Sequence, residues 1–145
     1  MYWKELDVWK KSHELVVKIY KITESFPKEE KFRLVDQICR SAISVPANIV
    51  EGQSRRTTKE YLQFLYTARG SVEESKYHLL LAKDLGYMQK ETYDQLEEQY
   101  SLVGKMLNRF RNRGRVHIFV AKPPNLTHSF STYWGRQKQN RRFVE

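Results

Sequence analysis

At 145 residues, with 40% hydrophobic and 30% charged side chains, the chain is sized for one domain with its own core and is short for two. No apolar run approaches the roughly 18 residues of a membrane span, the polar start Met1–Glu5 lacks a signal-like segment, and Cys39 is the only cysteine, which rules out an internal disulfide framework. The +9 formal charge is lopsided: residues 1–110 hold 18 basic and 16 acidic side chains, whereas residues 111–145 hold 8 and 1. The cytoplasm is therefore the expected compartment, and an anionic partner is expected for the basic end. A solvated tail that only aids solubility is the plainer alternative.

Helical periodicity, at about 100° per residue, divides the first part of the chain into four segments. In Trp3–Thr23, one stripe contains Leu6, Trp9, His13, Val16 and Tyr20, and a second contains Val8, Leu15, Ile19 and Ile22. Together they exceed the apolar arc of about 100° that a bundle helix needs, so this helix is expected to sit centrally or to meet another subunit. His13 is expected at the edge of the core. Ser25-Phe26-Pro27-Lys28 breaks the pattern.

The second segment, Glu29–Glu51, carries Leu34, Val35, Ile38, Cys39, Ala42, Ile43, Val45, Ile49 and Val50 on one half. Pro46 predicts a kink or interruption near Ala42–Val45, and Gly52 a stop. The third opens on a capping box, Thr57 with Glu60, and runs to Leu85 before Gly86. Gly70 inside it predicts close helix packing in return for its cost of about 1 kcal/mol. The fourth, Lys90–Arg111, repeats Tyr93, Leu96, Tyr100, Val103, Leu107 and Phe110. Short connections favour antiparallel neighbours, so the expected fold is all-α: an up-down-up-down four-helix bundle over 1–113 with a basic, aromatic-rich extension over 114–145. Val116–Ala121 has the composition of a short strand. Residues after Pro123-Pro124 read as an extended arm.

No residue set supplies a reaction. The adjacent pairs Glu29-Glu30, Glu73-Glu74 and Glu97-Glu98 point about 100° apart on a helix. His13, His78, His117 and His128 lack metal-ligand spacing, and no glycine loop suits a phosphate. Cys39 reads as packing. No metal, cofactor or catalytic residue is expected. More suggestive are two arcs, Arg40, Ser44, Asn48 and Glu51 on the second helix and Thr67, Ser71, Glu74 and His78 on the third. If they face each other, charged hydrogen bonds join the helices into a polar network of Arg40, Asn48, Glu51, Ser71 and Glu74, with Arg40 to Glu74 as the expected bond. An ordinary wet face is the equal alternative.

The run Gln37–Tyr87 resembles the bacterial four-helix-bundle family of proteins encoded within 23S rRNA intervening sequences. The resemblance is carried by Leu6-Asp7-Val8-Trp9, Phe26-Pro27-Lys28-Glu29-Glu30, Ser44-Val45-Pro46-Ala47-Asn48-Ile49-Val50-Glu51-Gly52, and Ala68-Arg69-Gly70-Ser71 with Glu74. It spans about residues 3–110. It implies a ring-like homopentamer with no established enzymatic activity. A more distant likeness is to the accessory protein of diversity-generating retroelements, which implies a reverse transcriptase and nucleic acid as partners. Val50 replaces the family's usual alanine, and the arm from Arg113 onward has no counterpart in the pattern.

Two functions compete. In the first, the chain is an RNA-binding accessory protein. Arg55, Arg56, Arg109, Arg111, Arg113, Arg115, Arg136, Lys138, Arg141 and Arg142 neutralise phosphates, and Trp134, with Phe130, Tyr133 and Phe143, stacks on unpaired bases. In the second, it is a scaffold that docks a protein such as a polymerase, with the arm as clamp or inter-subunit strap.

Overall fold

A computed structural model describes residues 2–120, with the backbone course alone at 111 and 113–120. Four helices make the fold: α1 Asp7–Thr23, α2 Leu34–Gln53, α3 Thr58–Asp84 and α4 Lys90–Val120. The order is an antiparallel bundle, and no strand occurs among the described residues. No helix among them is long and apolar enough to cross a membrane.

The core is one cluster in which Leu15, Ile19, Ile38, Val45, Ile49, Leu65, Val72, Leu79, Leu96, Val103 and Leu107 are buried. These side chains recur at helical spacing, and their removal from water is the main driving force for the packing. On α1 the buried set is Val8, Ser12, Leu15, Ile19 and Thr23, so the second sequence stripe faces inward. The first stripe divides: Leu6, ahead of the helix, is buried, whereas Tyr20 is exposed, Trp9 and Val16 are half-buried, and His13 lies exposed with its ring stacked on Trp9 at 5.0 Å. The expected core-edge role of His13 is thus corrected to a ring contact on the outer surface.

Several boundaries differ from expectation for local reasons. Buried Leu6 adopts an extended conformation and separates a 3-10 turn, Trp3–Glu5, from α1. Lys28–Glu30 is a second 3-10 turn, and α2 starts only at Leu34. Glu30 explains the delay. Its largely buried carboxylate accepts from the Leu34 backbone N–H at 3.2 Å and from the Tyr87 hydroxyl at 3.1 Å, tying the turn to both neighbours. The same bond pushes the Tyr87 phenol up from its ordinary value. Pro46 is buried and α2 runs through it without interruption. At the other end of α3, Gly86 takes φ 77°, letting Gly86 and Tyr87 donate to Lys83 and Ala82 carbonyls at 2.9 Å. Only glycine enters that region without penalty, so the stop is encoded.

Gly52 and Gly70 exchange roles. A Cβ at Gly70 would meet nothing within 4 Å, so no close packing is gained there. At Gly52, by contrast, it would lie 3.1 Å from Phe64 Cβ and 3.2 Å from the Tyr61 ring. Gly52 therefore brings α2 and α3 together one residue before α2 ends at Gln53. The expected strand at 116–121 is also corrected. Through Val120 it continues α4, which satisfies backbone donors and acceptors without a neighbouring strand.

Candidate nucleic-acid interface

The register between α3 and α4 decides which cations lie at the same end of the bundle. Lys76 pairs with Glu97 at 3.0 Å, and a Cβ at Gly104 would lie 3.3 Å from the Arg69 guanidinium carbon. Seven steps forward on α4 thus match seven steps back on α3. Continued, this register sets Thr58, the first residue of α3, level with Arg115. The loop holding Arg55 and Arg56 therefore lies at the end of the bundle toward which α4 carries Arg109, Arg111, Arg113 and Arg115. Trp134, Arg136, Lys138, Arg141 and Arg142, like Phe130, Tyr133 and Phe143, lie outside the described residues.

The two loop arginines differ. Arg55 is engaged: it pairs with Glu51 one turn earlier, and its guanidinium lies 4.6 Å from the centre of the Phe64 ring. Arg56 is exposed and has no ion pair among the described residues. Both line a shallow depression of about 230 Å³ with Gly52, Thr57 and Tyr61. Thr57 also belongs to the capping box of α3. Thr57 Oγ1 accepts from the Glu60 backbone N–H at 3.2 Å, and the Glu60 carboxylate accepts from the Thr57 hydroxyl at 2.6 Å. That hydroxyl holds the Glu60 carboxyl below its ordinary value, while burial raises the Tyr61 phenol.

On α4, Lys105 and Arg109 are exposed, share a face one turn apart, and form no ion pair among the described residues. Lys105, and Lys59 at the start of α3, join the basic end although sequence reasoning passes over both. Their signal is a cation one turn from an arginine, and one beside a helix start.

The expected polar network is rearranged. Asn48 donates to the Ser44 hydroxyl at 3.0 Å, Ser44 meets the Ser71 hydroxyl at 2.8 Å, and Ser71 donates to the Thr67 carbonyl at 3.1 Å. This relay joins α2 to α3 through Asn48 and Ser71. The Arg40–Glu74 bond does not form. Arg40 reaches Asp36 at 2.9 Å on its own helix, where an i, i+4 partner costs less ordering than one across the seam. Glu51 is taken by Arg55, and Glu74 stands 4.0 Å from His78 Nε2.

That last pair extends to a third group, because His78 Nδ1 lies 3.1 Å from the Ser41 hydroxyl. Serine, histidine and carboxylate in line suggest a nucleophile set, but the geometry opposes it. Ser41 is buried, and its hydroxyl donates to the Ile38 carbonyl at 3.1 Å. An activated nucleophile directs that proton to its base and needs an open approach. The Ser41–His78 contact instead fastens α2 to α3. Among the described residues, no group of three or more His, Cys, Asp or Glu side chains is placed to hold a metal ion.

The family model described as 23S rRNA-intervening sequence protein matches residues 4–109. Among solved structures, the chain is similar to a protein of unknown function from the S23 ribosomal protein family of Bacteroides thetaiotaomicron. Identity is 27% and the TM-score 0.65, covering 72% of this chain and 97% of that one. No curated protein matches the sequence significantly.

Proposed function

The chain belongs to the 23S rRNA-intervening sequence protein family, and from that premise we propose that it is a non-enzymatic, homo-oligomeric accessory protein that binds RNA at its basic end. One observation supports the reading: the α3–α4 register puts the Arg55-Arg56 loop at the end of the bundle toward which α4 runs with its arginines. Arg56, Lys105 and Arg109 supply the unpaired charges, and Arg55, fixed by Glu51 and Phe64, shapes the loop. Guanidinium groups suit phosphates because their planar donors bind two oxygens at once. A second copy fits the outer face of α1, where Tyr20 and Val17 are exposed beside Trp9 and Val16. A ring of five protomers would multiply the basic ends and raise avidity.

The scaffold reading is favoured by Phe32, which is 85% exposed at the opposite end of the bundle and suits a pocket on a protein partner such as a polymerase. RNA affinity measured against salt separates the two. The first reading expects a steep fall with salt. Arg56→Glu combined with Arg109→Glu should weaken binding at least about tenfold and flatten the slope by somewhat less than one unit for each phosphate no longer neutralised. Affinity that ignores both salt and these substitutions, with binding lost on Phe32→Ser, favours the scaffold.

A further inference from the structure

A corner of aromatic rings stands at the start of the chain. Trp3 meets Trp9 edge-on with ring centres 4.7 Å apart, and Tyr2 tilts against Trp3 at 5.3 Å. The His13 ring stacks on Trp9 within 8° of parallel. The Lys4 ammonium lies 5.3 Å from the centre of the Trp3 ring and 5.6 Å from that of Tyr2. Of the tyrosine and tryptophan rings in this corner, Trp9 alone rests against the core. Tyr2 is 52% exposed, His13 is exposed and Trp3 is half-buried. Rings that only cap a core hide themselves in it, whereas these hold one another in place and stay partly open to solvent.

The register between α1 and α2 sets where the corner lies. The Thr23 hydroxyl sits beside the Cys39 thiol across that contact. In antiparallel helices a step back on one matches a step forward on the other, so Trp9 is level with Gln53, the last residue of α2. The Trp3–Glu5 turn lies further out and packs beside α2 as well. The rings and the Arg55-Arg56 loop therefore share one end of the bundle. We propose that Tyr2, Trp3, Trp9 and His13 form a stacking platform for unpaired bases, so that the RNA taken at the basic end is single-stranded. The inference rests on the RNA-binding reading above and adds to it the kind of RNA. Within the corner Lys4, Lys10 and Lys11 are balanced by Glu5, Asp7 and Glu14, so phosphate affinity has to come from the loop and from α4. What the corner adds is flat apolar surface, which accepts any base because every base has a π-face. A duplex keeps its bases stacked inside and gains nothing from it. The His13 and Trp9 rings are already parallel, which lowers the ordering cost of a base joining the stack. Tyr20 lies about 16 Å further along α1 than Trp9, which leaves room for a second copy there.

Tryptophan fluorescence of the full chain tests the platform. Trp3, Trp9 and Trp134 are the three tryptophans, so in a Trp134→Phe background all the emission comes from the corner. A short oligoadenylate should quench that emission with the midpoint at which it binds. A blunt RNA duplex with the same number of phosphates should bind without quenching. Trp3→Leu with His13→Ala, which leaves Trp9 on the core, should weaken oligoadenylate binding at least about fivefold, the lower end for one lost stacking contact. The salt slope and the duplex affinity should stay as they are, because no phosphate contact is removed. Oligoadenylate that binds without quenching overturns the proposal with no substitution in the corner, and so does an equal loss for both RNAs. A changed oligomer mass in the double variant, with RNA affinity intact, assigns the corner to a second copy and overturns it too. Steep salt dependence without quenching sinks the platform alone, whereas no binding of either RNA sinks the RNA-binding reading with it.

Discussion

The seam between α2 and α3 and the surroundings of α4 are built from opposite materials. Across the first, Gly52 admits Phe64 and Tyr61 to near-backbone contact, and Ser41, Ser44, Asn48 and Ser71 have hydrogen-bond partners. Around α4 the fit is looser. Tyr100 and Ser75 bury hydroxyls that do not meet a partner in hydrogen-bond geometry, Leu102 stays half open, and the helix continues to Val120. The contrast teaches how one small bundle divides its tasks. Two helices are locked by small side chains that exclude water and find partners across the seam, and the fourth, less committed to the core, carries the charge outward. Buried polar groups stabilise only when satisfied, so the first seam is also the more specific one.

The contrast can be broken most severely at Gly52. Gly52→Val would press branched carbons into Phe64 and Tyr61, and urea unfolding should show a loss of about 3 kcal/mol, the upper range for overpacking. A loss under about 1 kcal/mol would mean the seam can give. Next comes the Tyr100 phenol, which burial pushes up from the ordinary 10 to about 12, with the Ser75 hydroxyl acting weakly in the opposite direction. The unfolded chain releases this proton near pH 10 while the folded chain holds it. Stability is therefore fully present below pH 10 and falls as pH rises toward 12, by about 2 kcal/mol from this group alone. Tyr100→Phe should remove that part of the alkaline loss, read from unfolding at pH 7 to 12, and cost little at pH 7. An unaltered alkaline profile would show that the hydroxyl is reached by solvent. The smallest effect is expected at Leu102, where Leu102→Ala removes a half-exposed side chain and should cost under about 1 kcal/mol by thermal unfolding. A cost equal to that at Gly52 would erase the difference between the two regions.

Much of the fold is legible in the sequence because its signals are local. Thr57 with Glu60, Gly86 after Leu85, and the recurring Leu96, Tyr100, Val103 and Leu107 each specify structure within a turn or two of themselves. What escapes depends on packing between distant positions. Gly52 resembles a helix stop until Tyr61 and Phe64 are placed against it, and Gly70 resembles a packing glycine until its surroundings prove open. Arg40 lies on the right arc for Glu74, but periodicity is silent about whether Asp36 is the easier partner. The start of α2 is hidden because the Glu30 side chain, rather than a backbone carbonyl, receives the Leu34 N–H. For the candidate interface, composition finds Arg55, Arg56 and Arg109. Their common end of the bundle becomes visible only through the α3–α4 register, and through it Lys59 and Lys105 join them.

The loop that presents Arg55 and Arg56 has one more consequence, for the order of assembly. It spans only residues 54–57, whereas α1 and α2 are separated by residues 24–33. Closing a loop costs entropy that grows with the logarithm of its length, so the α2–α3 pairing asks less of the unfolded chain than docking α1 does. The interdigitated seam and the arginine-bearing corner therefore belong to the same early, local event. A residue inserted in that corner would delay folding as well as displace a charge.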